Sequence, residues 1–87
     1  MIENSKEIRA SYDDSTDVMY ISMGQKYPDR YEEDEEGLVW RYDANGVVFG
    51  VTILDFHEYW IGKKIHLAEK ITELFNIPKD EVIRVLQ

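Results

Sequence analysis

Asp13, Ser15 and Asp17 stand at alternate positions, the spacing with which an EF-hand loop offers its first oxygen ligands to calcium. Such a loop needs glycine at its sixth position and a bidentate glutamate at its twelfth, but Val18 and Gly24 stand there. The same short polar side chains close turns by bonding to nearby backbone N–H groups, and we expect a turn. Asp55 and His57 supply an acid and a base two residues apart, the raw material of proton transfer. No motif marks a serine or cysteine nucleophile beside them. Leaving a strand, Asp55 is expected to cap the helix that follows. His57 and His66 share no helical face. Neither catalytic residues nor a metal or cofactor site are expected.

Charge is most concentrated at Glu32, Glu33, Asp34, Glu35 and Glu36. Five adjacent carboxylates repel one another and do not converge on a point, so the run reads as a solvated loop and an electrostatic interaction surface. A rival chemistry lies in residues 71–86. Their apolar spacing resembles a helix-turn-helix with Asn76 at the turn and Val82 and Val85 inward. The second helix would show Asp80 and Glu81 to a phosphate backbone, with few bases to oppose them. A helical hairpin packed on the sheet or on a partner is the preferred reading.

The elements that must position these residues follow from periodicity. Ile8, Ala10 and Tyr12 alternate with Arg9 and Ser11, suggesting a first strand with one buried face. Val18 to Met23 is a second, β-branched and aromatic strand. Tyr27-Pro28-Asp29 breaks structure, and Arg30 to Glu33 suits an edge strand, where charge discourages further pairing. Leu38 to Asp43 and Val47 to Phe56 flank Asp43-Ala44-Asn45-Gly46, whose Asn-Gly pair takes the positive φ angles of a tight hairpin turn. Period two then gives way to a helical stripe of Ile61, Ile65, Ala68, Ile71 and Phe75, with Trp60, Leu67 and Leu74 beside it. Pro78 ends that helix and suits the first turn of a second, through Val82, Val85 and Leu86.

Strands followed by helices indicate α+β: a small antiparallel meander of about four strands, with one or two C-terminal helices on the sheet. Residues 1–87 form one domain, with a flexible 1–7, a sheet over 8–56 and helices over 57–87. Val47, Phe49, Val51 and Ile53 lie on one strand face and Val48 and Leu54 on the other, so both faces carry apolar groups. Helices can cover one of them, and the other predicts a homodimer or a complex with another protein.

Composition bounds the function classes. The 87 residues carry a net charge of −8, most of it before residue 47, and no cysteine. Disulfides and thiolate metal sites are excluded. An acidic body repels nucleic acid and suits a basic partner. Without a leader or an apolar run of membrane-spanning length, a soluble cytoplasmic protein is expected.

Tyr12-Asp13, Asp17-Val18-Met19-Tyr20-Ile21, Asp43-Ala44-Asn45-Gly46, Val48, Gly50-Val51 and Ile53-Leu54-Asp55 together resemble a family of small prokaryotic proteins, domain of unknown function 2283. Its pattern is similar to YD-x-x-x-D-x-L-Y-I followed by D-x-x-G-x-x-x-G-[IV]-x-I-L, with Met19 here at the usual leucine. The resemblance brings no catalytic residue or cofactor. It implies a neighbouring toxin-like protein and hence an antitoxin-like role. The expected function is a noncatalytic protein-interaction module. The alternatives are a DNA-binding regulator using residues 71–86 and, third, a small enzyme.

Overall fold

The computed structural model describes residues 8–24 and 26–86; the segment 1–7, expected to be flexible, lies outside the described residues. Five strands, β1 (Ile8–Asp13), β2 (Val18–Met23), β3 (Arg30–Glu33), β4 (Leu38–Tyr42) and β5 (Val48–Leu54), form one antiparallel sheet. A π-type turn (Phe56–Trp60) and a 3₁₀ turn (Ile61–Lys63) lead into α1 (Lys64–Phe75) and α2 (Lys79–Leu86). The α+β class, the antiparallel sheet and the C-terminal helices are as expected.

The sheet has five strands in the order β1-β2-β5-β4-β3. A meander in chain order would leave β5 at an edge. Instead β5 enters between β2 and β4, pairing antiparallel with both. The physical reason is composition: β5 is the most apolar strand, and an internal position gives its backbone two partners and its side chains the most cover. The edges go to β1 and β3, where only Ile8 is buried. Charged edge residues also discourage pairing with further strands.

One face of the sheet meets the helices. Met19, Ile21, Leu38, Trp40, Val51 and Ile53 from the sheet join Trp60, Leu67, Ala68, Ile71, Phe75, Val82 and Leu86 in a single core. Trp40 meets Phe75 edge-on, with centroids 6.3 Å apart. Each fully buried Leu or Ile contributes about 1.5–3 kcal/mol relative to exposure.

The expected helical stripe is correct for Ala68, Ile71 and Phe75, but Ile61 and Ile65 are exposed. The α-helix begins only at Lys64, so Ile61 does not share its period. At about 100° per residue, Ile65 falls roughly 60° outside the arc bounded by Leu67 and Ala68. Asn76 takes the left-handed conformation and its N–H bonds the Thr72 carbonyl (2.8 Å), ending α1 two residues before Pro78.

β5 departs from strict alternation. Its register with β4 shifts between Arg41 and Tyr42, a β-bulge that leaves Phe49 without a partner across the pair. Val48 therefore joins the core, whereas Phe49 is buried outside that cluster, its ring 6.0 Å from the Arg41 guanidinium. The expected faces of Val48 and Phe49 are exchanged. Asn45 likewise avoids positive φ; in the 43–46 turn only Gly46 is left-handed, at +79°.

Candidate functional site

The acidic run divides once folded. Asp34 Oδ1 accepts the N–H groups of Glu36 (2.9 Å) and Leu38 (3.0 Å), while Oδ2 accepts Trp40 Nε1 (3.1 Å) and Lys70 Nζ (2.7 Å). Burial pushes the Asp34 carboxyl up, but these donors outweigh it and hold the group at about 2. Glu36 accepts Lys70 Nζ at 2.7 Å and lies 3.0 Å from His66 Nε2, and both partners keep its pKa low. Two of the five acids thus tie the β3–β4 turn to α1. Glu32 pairs with Arg30 on its own strand, and Glu33 and Glu35 point outward, so the charge available to steer a partner comes from Glu32, Glu33 and Glu35.

The Asp13–Asp17 segment is a turn whose carboxylates serve the fold. Asp13 Oδ1 accepts the N–H and hydroxyl of Ser15 (3.1 and 2.7 Å). Asp17, left-handed at φ +59°, stands just before β2 and beside the end of its neighbour β5, at the start of the 56–60 turn. It accepts the N–H of His57 (2.8 Å) and of Glu58 (3.0 Å), which a turn's opening leaves unpaired, and the hydroxyl of Tyr12 (2.7 Å). The bond to Asp17 raises the Tyr12 hydroxyl to about 12, and the backbone N–H of His57 is foremost in lowering Asp17. Asp55 occupies the cap position but makes no side-chain cap bond, which corrects the expected cap. Asp17, 40 positions before the His57 whose N–H it accepts, performs that role, and only the folded sheet brings it there. The side chains of Asp55 and His57 form no hydrogen bond with each other among the described residues.

Residues 71–86 do form two helices around Asn76-Ile77-Pro78. Val82 and Leu86 are buried in the core, with α2 against α1 and β1. The first turn of α2 carries Asp80 and Glu81.

Among the described residues, no helix covers the face of the sheet opposite α1 and α2. Register places Ser11, Tyr20, Thr52, Val39 and Glu33 in one row across the five strands, and Arg9, Ser22, Gly50, Arg41 and Tyr31 in the next. Tyr20, Tyr31 and Leu54 are 42, 60 and 46% exposed. Arg41 lies flat at the centre. Its guanidinium occupies the space a side chain at Gly50 would fill, donating to Thr52 Oγ1 (2.8 Å) and the Ile21 carbonyl (3.1 Å). In the sequence Arg41 is only a polar residue between Trp40 and Tyr42, with no motif of its own. The signal was Gly50 inside an otherwise apolar strand, which marks a close approach.

Two hairpins joined by an inserted strand, with helices on one face and Arg41 pinned on the other, define a small α+β protein. The family model for proteins of unknown function, DUF2283, matches residues 9–56, and the chain belongs to that family. Comparisons with curated proteins and with solved structures give no significant match. The match covers the sheet from the second residue of β1 to just beyond β5 and stops before α1. Its signature residues have structural duties: Asp17 caps a distant turn, Asp43 and Gly46 close a hairpin, and Gly50 admits Arg41. No helix among the described residues is long and apolar enough to cross a membrane.

Proposed function

We propose that the protein is a noncatalytic interaction module that docks a basic partner protein on the open face of its sheet. The observation that carries this reading is the one-sided cover: both helices pack on one face, leaving Tyr20, Tyr31, Val39 and Leu54 around Arg41 on the other. Tyrosine and arginine anchors framed by aliphatic groups are the composition of interface hot spots. Asp13 and Glu33 stand on the rim of this face, with Glu32 and Glu35 nearby along the chain. A basic partner fits that rim better than a second copy, which would bring its own net charge of −8 to the contact. The antitoxin-like role belongs to this reading, with the module occluding its partner's working surface.

The test joins sedimentation velocity of the purified chain with tagged recovery from the native host and mass spectrometry. The expected result is a monomer alone and a stoichiometric basic protein in the recovered complex, lost in Tyr20→Glu and Leu54→Glu but kept in Ile65→Glu on the helix side. Lysine at Glu32, Glu33 and Glu35 should slow association and weaken its salt dependence. Equal recovery by the face variants, or a tight dimer of the chain alone, would overturn the basic-partner reading.

A further inference from the structure

In the second row of the open face, Arg9 and Arg41 are the outer cations and Ser22 and Gly50 the small residues between them. Three strand spacings put their Cα atoms about 14 Å apart; the Arg41 guanidinium lies over Gly50, and Ser22 floors the trough left between it and Arg9. This trough is part of a depression of about 620 Å³, also lined by Lys26, Tyr27 and Phe49, with no carboxylate among the described residues that line it. In a chain with 18 acids and 10 bases, three cations around one acid-free hollow run against the composition.

The cations differ in how they are held. Lys26 is paired with Asp43 at 2.9 Å. Arg9 donates to the Gly24 carbonyl at 3.1 Å. Arg41 donates to one hydroxyl and one carbonyl, both uncharged, and among the described residues it has no carboxylate partner. Those bonds use two of the five N–H donors of a guanidinium and fix its plane. A half-buried guanidinium, oriented in advance and without a counter-charge, is matched by the paired oxygens of a carboxylate or phosphate. Phe49, buried against Arg41, gives the hollow one apolar wall, which lowers the dielectric there and strengthens an ion pair.

We infer that the trough between Arg9 and Arg41 is an oxyanion-binding site, taking a carboxylate or phosphate group with Arg41 as its principal donor. The site does not rest on the docking reading, since the chain alone can be tested for it; a partner seated on the face would cover it.

The test is an NMR titration at constant ionic strength, following the arginine Nε–H signals and the amides of Ser22 and Gly50. The probes are inorganic phosphate, acetate and tetraglutamate, with chloride as the control. Saturable shifts at these positions with phosphate, acetate or tetraglutamate, and none with chloride, are expected. Phosphate against acetate separates the two oxyanions, and saturation by tetraglutamate alone would place the oxyanion on a polypeptide. Arg41→Gln should weaken binding about tenfold or more, and Arg41→Lys, which keeps the charge but loses the fork, should also weaken it. Arg9→Gln, at an edge where packing is unaffected, should give a smaller loss, and Arg84→Gln on α2 none. Shifts that rise without saturation and equally in chloride, or unchanged binding by folded Arg41 and Arg9 variants, would overturn the site.

Discussion

The chain makes one turn twice, once at each end of β4. In Asp34-Glu35-Glu36-Gly37 the Asp34 N–H bonds the Leu38 carbonyl (2.9 Å) and the Gly37 N–H bonds the Asp34 carbonyl (3.1 Å). In Asp43-Ala44-Asn45-Gly46 the equivalent bonds, Asp43 to Val47 and Gly46 to Asp43, are 2.9 and 3.0 Å. Each aspartate Oδ1 accepts the N–H two and four residues on, and each glycine is left-handed, at +86° and +79°. The turns differ in the second oxygen. Asp43 gives it to Lys26, from the loop before β3. Asp34 gives it to the Trp40 indole and to Lys70 of α1. One turn closes a hairpin; the other also fastens the helix layer to the sheet.

The strongest way to break this comparison is to remove the two aspartates separately. Asp34→Ala loses four accepted bonds and leaves the indole N–H and Lys70 short of a partner, at a cost of about 2–4 kcal/mol by denaturant unfolding. Asp43→Ala should cost less, because the freed Lys26 is half exposed and water replaces its partner. An equal loss would show that the tether to α1 adds nothing. Acid unfolding gives the same contrast a sign. The Asp34 carboxyl lies at about 2, below its ordinary 3.8, so its stabilisation is present above pH 3.8 and fades as the pH falls through about 2. Asp34→Asn should flatten that part of the stability–pH curve, and an unchanged curve would remove Asp34 as a source of acid sensitivity.

The glycines test the half that the turns share. A Cβ at Gly37 or at Gly46 would meet no atom within 4 Å, so alanine there suffers only the left-handed backbone. That penalty is about 1–2 kcal/mol, and it should be nearly equal at the two sites. Unequal losses would mean that the two turns are not the same device.

These turns also show how far the sequence could be read. Asp43-Ala44-Asn45-Gly46 lies between two alternating apolar runs and is legible as a hairpin. Asp34-Glu35-Glu36-Gly37 has the same aspartate and glycine spacing, but the surrounding acids disguise it as a charge run. Alternation is enough to locate β1 and β4, β-branched and apolar runs locate β2 and β5, and charge marks the edge β3. The insertion of β5 between β2 and β4, the Asp17 cap on the 56–60 turn and the Lys70 tether were not legible. Each joins residues distant in sequence, and no local pattern encodes which distant donor an acid will meet. Arg41 belongs to the same class, since its role depends on Gly50 across a strand pair.

The smallest expected effect isolates the tether from the turn it holds. Lys70→Met keeps most of the apolar stem and removes the charge, leaving Asp34 with its indole and backbone donors intact. Lys70 is 24% exposed and bonds two carboxylates, so we expect a loss of about 1 kcal/mol, between the surface and buried limits for ion pairs. Burial works to lower the Lys70 pKa, but Asp34 and Glu36 outweigh it and raise the value above 10.5. The contribution is therefore complete below pH 10.5 and disappears as the pH rises through the raised value, the reverse of the Asp34 window. Lys26→Met should scarcely move the midpoint. Amide exchange adds a spatial readout: Lys70→Met should speed exchange in α1 and at the Glu36 and Leu38 N–H groups, while the 43–47 turn keeps its protection. Faster exchange confined to the 34–38 turn, with α1 unchanged, would show that Lys70 trims the turn rather than fastening the helix to it.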